Sequence, residues 1–177
     1  MKPMWINPNG YTDYPVPRHG WWERLTAREI VQFRLLDPPM TLLLPQDETC
    51  LLVQPDAVFD SDGASTPRFM WAVPGYSATA YQRSAYIHDS GYSSHKRHKG
   101  KHGLWTVEVA MRHVLEYQLI SSANWPRLLL MHVKFKFTEM DRQRVDAIYR
   151  DGLPADDCPA YRAAIQYAFI RAFGPRW

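Results

Sequence analysis

Cysteine is scarce in this 177-residue chain: Cys50 and Cys158 stand far apart and match no metal-ligand spacing. That excludes a disulfide framework and a Cys-based zinc site. One disulfide remains open as an alternative, and a reduced, cytoplasmic chain is the expectation. Long apolar runs are also missing. No window approaches the roughly 18 consecutive apolar residues of a membrane span. The first residues, Met1-Lys2-Pro3-Met4-Trp5-Ile6, lack the apolar core of a signal peptide. Export would then need another route, such as release by lysis or assembly into a particle. Net charge is small, at +3, too small to imply nucleic-acid binding by itself. Internal repeats and low-complexity segments are absent. So is a Gly-x-Ser-x-Gly nucleophile elbow.

What is present suits a globular chain. Hydrophobic residues make up 46% and charged residues 22%, ordinary values for one folded domain. Aromatics at 14% and fourteen prolines suggest a compact body with rigid loops and large core side chains.

Residues 1–20 are rich in Pro, Gly, Asn and Tyr and read as an irregular arm; 21–177 then form a single domain. Strands are expected at 30–36, 41–44 and 50–53, joined by turns at Asp37-Pro38-Pro39 and Pro45-Gln46-Asp47-Glu48. Three short strands in succession make a small antiparallel sheet or meander. Val58-Phe59 is a further extended piece. From Ser77 the period becomes helical, with Tyr81, Ala85, His88 and Tyr92 on one face. Gly91 ends that helix. A basic loop follows at 93–103, then a helix over Leu104–Ile120. Trp125-Pro126 opens another helix, and 133–137 alternates like a strand, so its state stays open. Thr138 with Asp141 resembles a capping box. The helix it opens carries Asp141, Val145, Ile148 and Tyr149 on one side and stops at Gly152. Pro159 starts the last helix, which should bury Tyr161, Ala164, Ile165, Ala168, Phe169 and Phe173. The expected fold is α+β: a small N-terminal antiparallel sheet packed against three to five helices.

The polar chemistry concentrates between Asp60 and Tyr92. Neutral imidazole at His88 can take a proton near neutral pH. Asp89 could bind a cation, with Asp62, Asp60 or turn carbonyls completing an oxygen-rich shell suited to calcium. Asp141 could bond the far nitrogen of His88 and set its tautomer, with Tyr92 bracing that carboxylate. The competing structural reading is a core histidine bonded to Asp141, with Asp89 at the surface. Ser65 invites a Ser-His-Asp reading with His88 and Asp141 or Asp62, but more simply bonds its own turn backbone. His95, His98, His102 and His113 are too loosely spaced for zinc. Lys96, Arg97, Lys99 and Lys101 read as a solvated loop or as a contact for an acidic or phosphate-bearing partner or a lipid surface.

Four motifs, in order, carry a resemblance: Asp62-Gly63-Ala64-Ser65-Thr66-Pro67, His88-Asp89-Ser90-Gly91-Tyr92, Met140-Asp141, and Tyr167 through Gly174. Together they resemble a family of small phage and prophage proteins, a domain of unknown function, with an insertion here of roughly 94–137. The resemblance implies phage origin: host cytoplasm during expression, or the virion. It implies no established activity. His88, Asp89, Tyr92 and Asp141 are also similar by type and order to the active-site helix of phospholipase A2. There a helical His activates water, the adjacent Asp binds calcium, and an Asp from a second helix orients the His; the Gly-rich calcium loop has no counterpart here. Two functions follow as expectations. One is a phage accessory or structural protein of virion or tail, with a mainly structural network and with assembly contacts through 1–20 and 94–137. The other is a metal-assisted, phospholipase- or esterase-like hydrolase with His88 as base. The first is preferred, because a polar network explains the motifs without a missing metal loop.

Overall fold

The computed structural model describes residues 1–15, 31–37, 39–61, 81–121 and 123–173, with backbone alone at 13–15, 31, 60 and 173. The fold is α+β. Strands β1 (Met4–Ile6), β4 (Thr41–Pro45), β5 (Thr49–Gln54), β7 (Gly103–Ala110) and β8 (Lys136–Glu139) form a five-stranded antiparallel sheet in the order β1-β4-β5-β7-β8. A smaller sheet joins β2 (Tyr11–Pro15), β3 (Val31–Leu35) and β6 (Val58–Ser61), with β3 central. Five helices accompany them among the described residues: α1 (Gln82–Ser93), α2 (Met111–Ile120), α3 (Trp125–His132), α4 (Arg142–Gly152) and α5 (Ala160–Phe173).

The large sheet is covered on both faces, which explains why Thr41-Leu42-Leu43-Leu44 and Cys50-Leu51-Leu52-Val53 are apolar runs rather than alternations. Leu43, Cys50 and Leu52 point to one face and pack with Val114 of α2 and with Trp125 and Leu129 of α3. Leu42, Leu44, Leu51 and Val53 point to the other, against Ile87 of α1 and Ile148 of α4. Leu42, Leu43 and Leu52 are wholly buried; each contributes roughly 1.5–3 kcal/mol of burial. Phe33 and Phe59 of the small sheet close a separate aromatic cluster with Tyr86 of α1 and with Met40, just before β4. Cys50 and Cys158 are both free and buried.

Several expectations need correction. The strand around 31–35 does not form a meander with the next two. The Asp37–Pro39 break turns it into the second sheet, where Phe33 pairs with Phe59. Part of the supposed irregular arm, up to Pro15, is strand in both sheets, with Trp5 opposite Leu42 and Tyr11 opposite Leu35. Its remainder, 16–20, lies outside the described residues. The helix expected from Leu104 begins only at Met111. Residues 103–110 are strand β7, since Trp105, Thr106, Val107 and Val109 suit a pleated surface and β5 offers an open edge. The stretch left open at 133–137 gives β8 from Lys136 onward. Thr138 belongs to that strand, so the cap of α4 is Asp141 itself, whose carboxylate accepts from the Arg144 N–H at 2.7 Å. Among the described side chains of α5 the buried positions are Ala163, Gln166 and Ile170, whereas Tyr161 is 61% exposed; the Phe173 side chain lies outside the described residues. The face is rotated because Gln166 reaches Tyr149, whose hydroxyl donates to it at 2.6 Å.

The β7–β8 edge is closely apposed. A Cβ on Gly103 would meet the Thr138 carbonyl oxygen at 2.1 Å. Because that atom is backbone, Gly103→Ala is expected to lower stability by about 1–3 kcal/mol, read from the urea midpoint at unchanged slope.

Candidate functional site

Helix α1 begins without a cap of its own. Tyr81 precedes it in the left-handed region, at φ 59°, and supplies no side-chain cap. Asp156, in the short 3-10 turn after α4, caps the helix from outside. Its Oδ2 accepts from the Ser84 N–H at 3.0 Å and from the Ser84 hydroxyl at 2.7 Å. Its Oδ1 accepts from the Trp5 indole at 2.8 Å and from Arg83 at 3.2 Å. A carboxylate at a helix N-terminus also meets the positive end of the helix dipole. The start of α1 is thereby tied to β1 and to the end of α4.

One to two turns further along, α1 presents His88. The imidazole is 2% exposed and packs at a tilt against Tyr92 and Tyr149, at 4.3 and 5.1 Å between ring centres. Its Nε2 lies 3.0 Å from Oδ1 of Asp146, a fully buried residue of α4. Tyr92 donates to the same oxygen at 2.6 Å. Arg171 of α5 donates to the other oxygen at 3.1 Å, and Arg142 stands one helical turn before Asp146, with Nε at 3.6 Å. Arg142 in turn donates to the Tyr92 hydroxyl and to the carbonyls of Ile170 and Arg171. On its other edge His88 faces Asp89, with Nδ1 to Oδ1 at 3.5 Å. Asp89 also accepts a hydrogen bond from the Ser61 hydroxyl at the end of β6.

The acid against His88 is therefore Asp146 and not Asp141. Asp141 is exposed and caps α4; Asp146, 1.4 turns on, faces inward between Val145 and Tyr149. The signal that would have found it was an acid inside the apolar face of the helix, four residues after an arginine. Ser65 and Asp62 lie outside the described residues, as does the whole Asp62–Pro67 turn. Ser61, Arg142 and Arg171 were not anticipated from sequence. Among the described residues, no group of three His, Cys, Asp or Glu side chains could hold a metal ion, at Asp89 or elsewhere.

Charge and burial oppose one another here. Burial disfavours the charged form of His88, but the hydrogen bonds to Asp146 and then Asp89 outweigh it and raise its pKa above the ordinary 6.5. Burial likewise disfavours ionised Asp146. The bonds from His88, Tyr92 and Arg171 prevail and hold its pKa below the ordinary carboxylate value. Both directions describe one coupled pair that favours carboxylate beside imidazolium. The Tyr92 phenol is pushed upward by burial and by its bond to Asp146, and stays protonated as a donor.

No family model, no curated protein and no solved structure matches this chain. Among the described residues, no helix is long and apolar enough to cross a membrane.

Proposed function

We propose that the chain is a hydrolase of the ester-cleaving type in which His88 is the general base and Asp146 its orienting acid. One observation carries the reading: Asp146 Oδ1 binds Nε2 of His88 while Tyr92 holds the same oxygen. An acceptor at Nε2 keeps the proton there in the neutral ring and leaves the basic lone pair on Nδ1. Nδ1 lies on the side of Asp89 and Ser61, away from the α4–α5 interface. The ring is 2% exposed, so on this reading a local opening admits water and ester to Nδ1, which takes a proton as the water oxygen attacks the ester carbonyl and returns that proton to the departing alkoxide. The bonds of His88 to Asp146 and Asp89 outweigh burial and raise its pKa above 6.5, which favours uptake of a proton by the ring. The similarity to the phospholipase A2 helix supports the same roles, with Asp146 as the acid from the second helix.

The purified chain is assayed against simple carboxylic esters and glycerophospholipids. The expected result is turnover that His88→Asn and Asp146→Asn each lower by about 10²–10⁴-fold. The rate should climb with pH through a limb above 6.5, where His88 loses its proton. No hydrolysis of any ester class above the His88→Asn blank would end this reading.

A second reading rests on burial. His88 and Asp146 are almost sealed, and their network binds α1, α4 and α5 together. On that reading the constellation is a strut in a virion- or tail-associated accessory protein, in keeping with the phage resemblance. Residues 1–20 and 94–137 would then be assembly contacts. The same variants would lose stability and show no ester-cleaving activity to lose.

A further inference from the structure

The chain's charge is unevenly placed. Between Ser94 and Phe137 stand eight Lys or Arg and two Glu, a net +6 against +3 for the whole chain; five of the six lysines are there. Within this segment α2 and α3 pack side by side, with the Tyr117 and His132 rings stacked at 5.8 Å. Their inner face is spent on the sheet, through Val114, Trp125 and Leu129. Their outer face sets large apolar side chains among exposed charged and polar ones. Leu119 is 86% exposed, Ile120 76%, Met131 71% and Leu115 45%.

These residues share stripes with cations. Arg112, Leu115 and Leu119 follow one another at i, i+3 and i+7 along α2, and Arg127 and Met131 at i and i+4 along α3. Glu116 is the one acid on the two helices. We infer that the outer face of the α2–α3 hairpin is a docking surface for an anionic lipid bilayer. Aliphatic side chains reach the acyl boundary while Arg112 and Arg127 meet the headgroup phosphates. A nucleic acid would satisfy the arginines but offers no apolar depth for Leu119 and Ile120. A second copy of the chain, meeting this face with its own, would set arginine patch against arginine patch. This surface lies on the sheet face opposite α1 and α4, so it stands independently of what His88 does.

The test is co-sedimentation with vesicles of phosphatidylcholine containing a third phosphatidylglycerol, and with phosphatidylcholine alone. The full chain should pellet with the anionic vesicles, less so as salt is raised, and stay in solution with the neutral ones. The double variant L119D/I120D should weaken binding by about tenfold or more, as should R112E/R127E. Both sets of side chains are outward-facing, so circular dichroism and the urea midpoint should stay as in the parent. No binding to anionic vesicles, or binding unchanged in L119D/I120D, would overturn the inference. So would light scattering showing a dimer that L119D/I120D converts to monomer, since the face would then be a self-association surface.

Discussion

Asp146→Ala is expected to destabilise the chain by about 3–5 kcal/mol, the usual cost of removing one partner from a buried ionic network. The loss is large because Asp146 is fully buried and is the acceptor for His88, Tyr92 and Arg171 together. Truncation takes this acceptor from a buried imidazole and a half-buried phenol, and the counter-charge from two guanidinium groups. The more conservative Asp146→Asn separates charge from shape through pH. Asp146 has a pKa below its ordinary 3.8, so its contribution is present above that value and lost as pH falls through the lower, folded value. His88 has a pKa above 6.5, so its contribution is full below 6.5 and lost as pH rises through the higher, folded value. The stability gap between the parent and Asp146→Asn should therefore be widest between about pH 4 and 6.5 and should narrow on either side. Urea titrations across that range measure it. A gap that stayed constant with pH would mean that the pair does not ionise as described.

Asp156→Ala carries the second large effect, about 2–4 kcal/mol, from four buried or half-buried donors left without this acceptor. The Ser84 N–H belongs to the first turn of α1, where backbone donors have no intrahelical partner. The Trp5 indole N–H loses the bond that fixes β1 against that turn. The loss should be local before it is global. Amide hydrogen exchange should quicken first in the opening turn of α1 and in β1, at denaturant concentrations where β5 and β7 stay protected. If the site is catalytic, this variant should also lose activity through His88 placement, with its pH limb unshifted. An unchanged exchange rate at Ser84 and Ala85 would show that α1 does not depend on this distant cap.

Much of the architecture was legible in the residues themselves. The α+β class, the strands expected at 41–44 and 50–53, and the helix bearing His88 follow from period and turn chemistry, which act over a few residues. Errors fell where a local pattern was ambiguous and a distant partner decided. Residues 104–109 mix aliphatic, aromatic and β-branched side chains that fit either state, and pairing with β5 made them strand. The last helix carries apolar residues on more than one side, and the Tyr149–Gln166 bond selected which side turned inward.

The candidate site divides the same way. Sequence alone determined that His88 and Tyr92 share a helical face, because four residues advance a helix by little more than one turn. It also determined that an acid from a later helix could reach them. Only the tertiary structure decided which acid. Asp141 has the position of a cap and spends its carboxylate on Arg144, whereas Asp146 points into the interface that α4 makes with α1 and α5. The choice depends on the rotation of one helix against two others, set by packing of side chains separated by many residues. The same packing brought Arg171 and Asp156 to bear on α1, one holding the acid behind its histidine and the other closing its first turn.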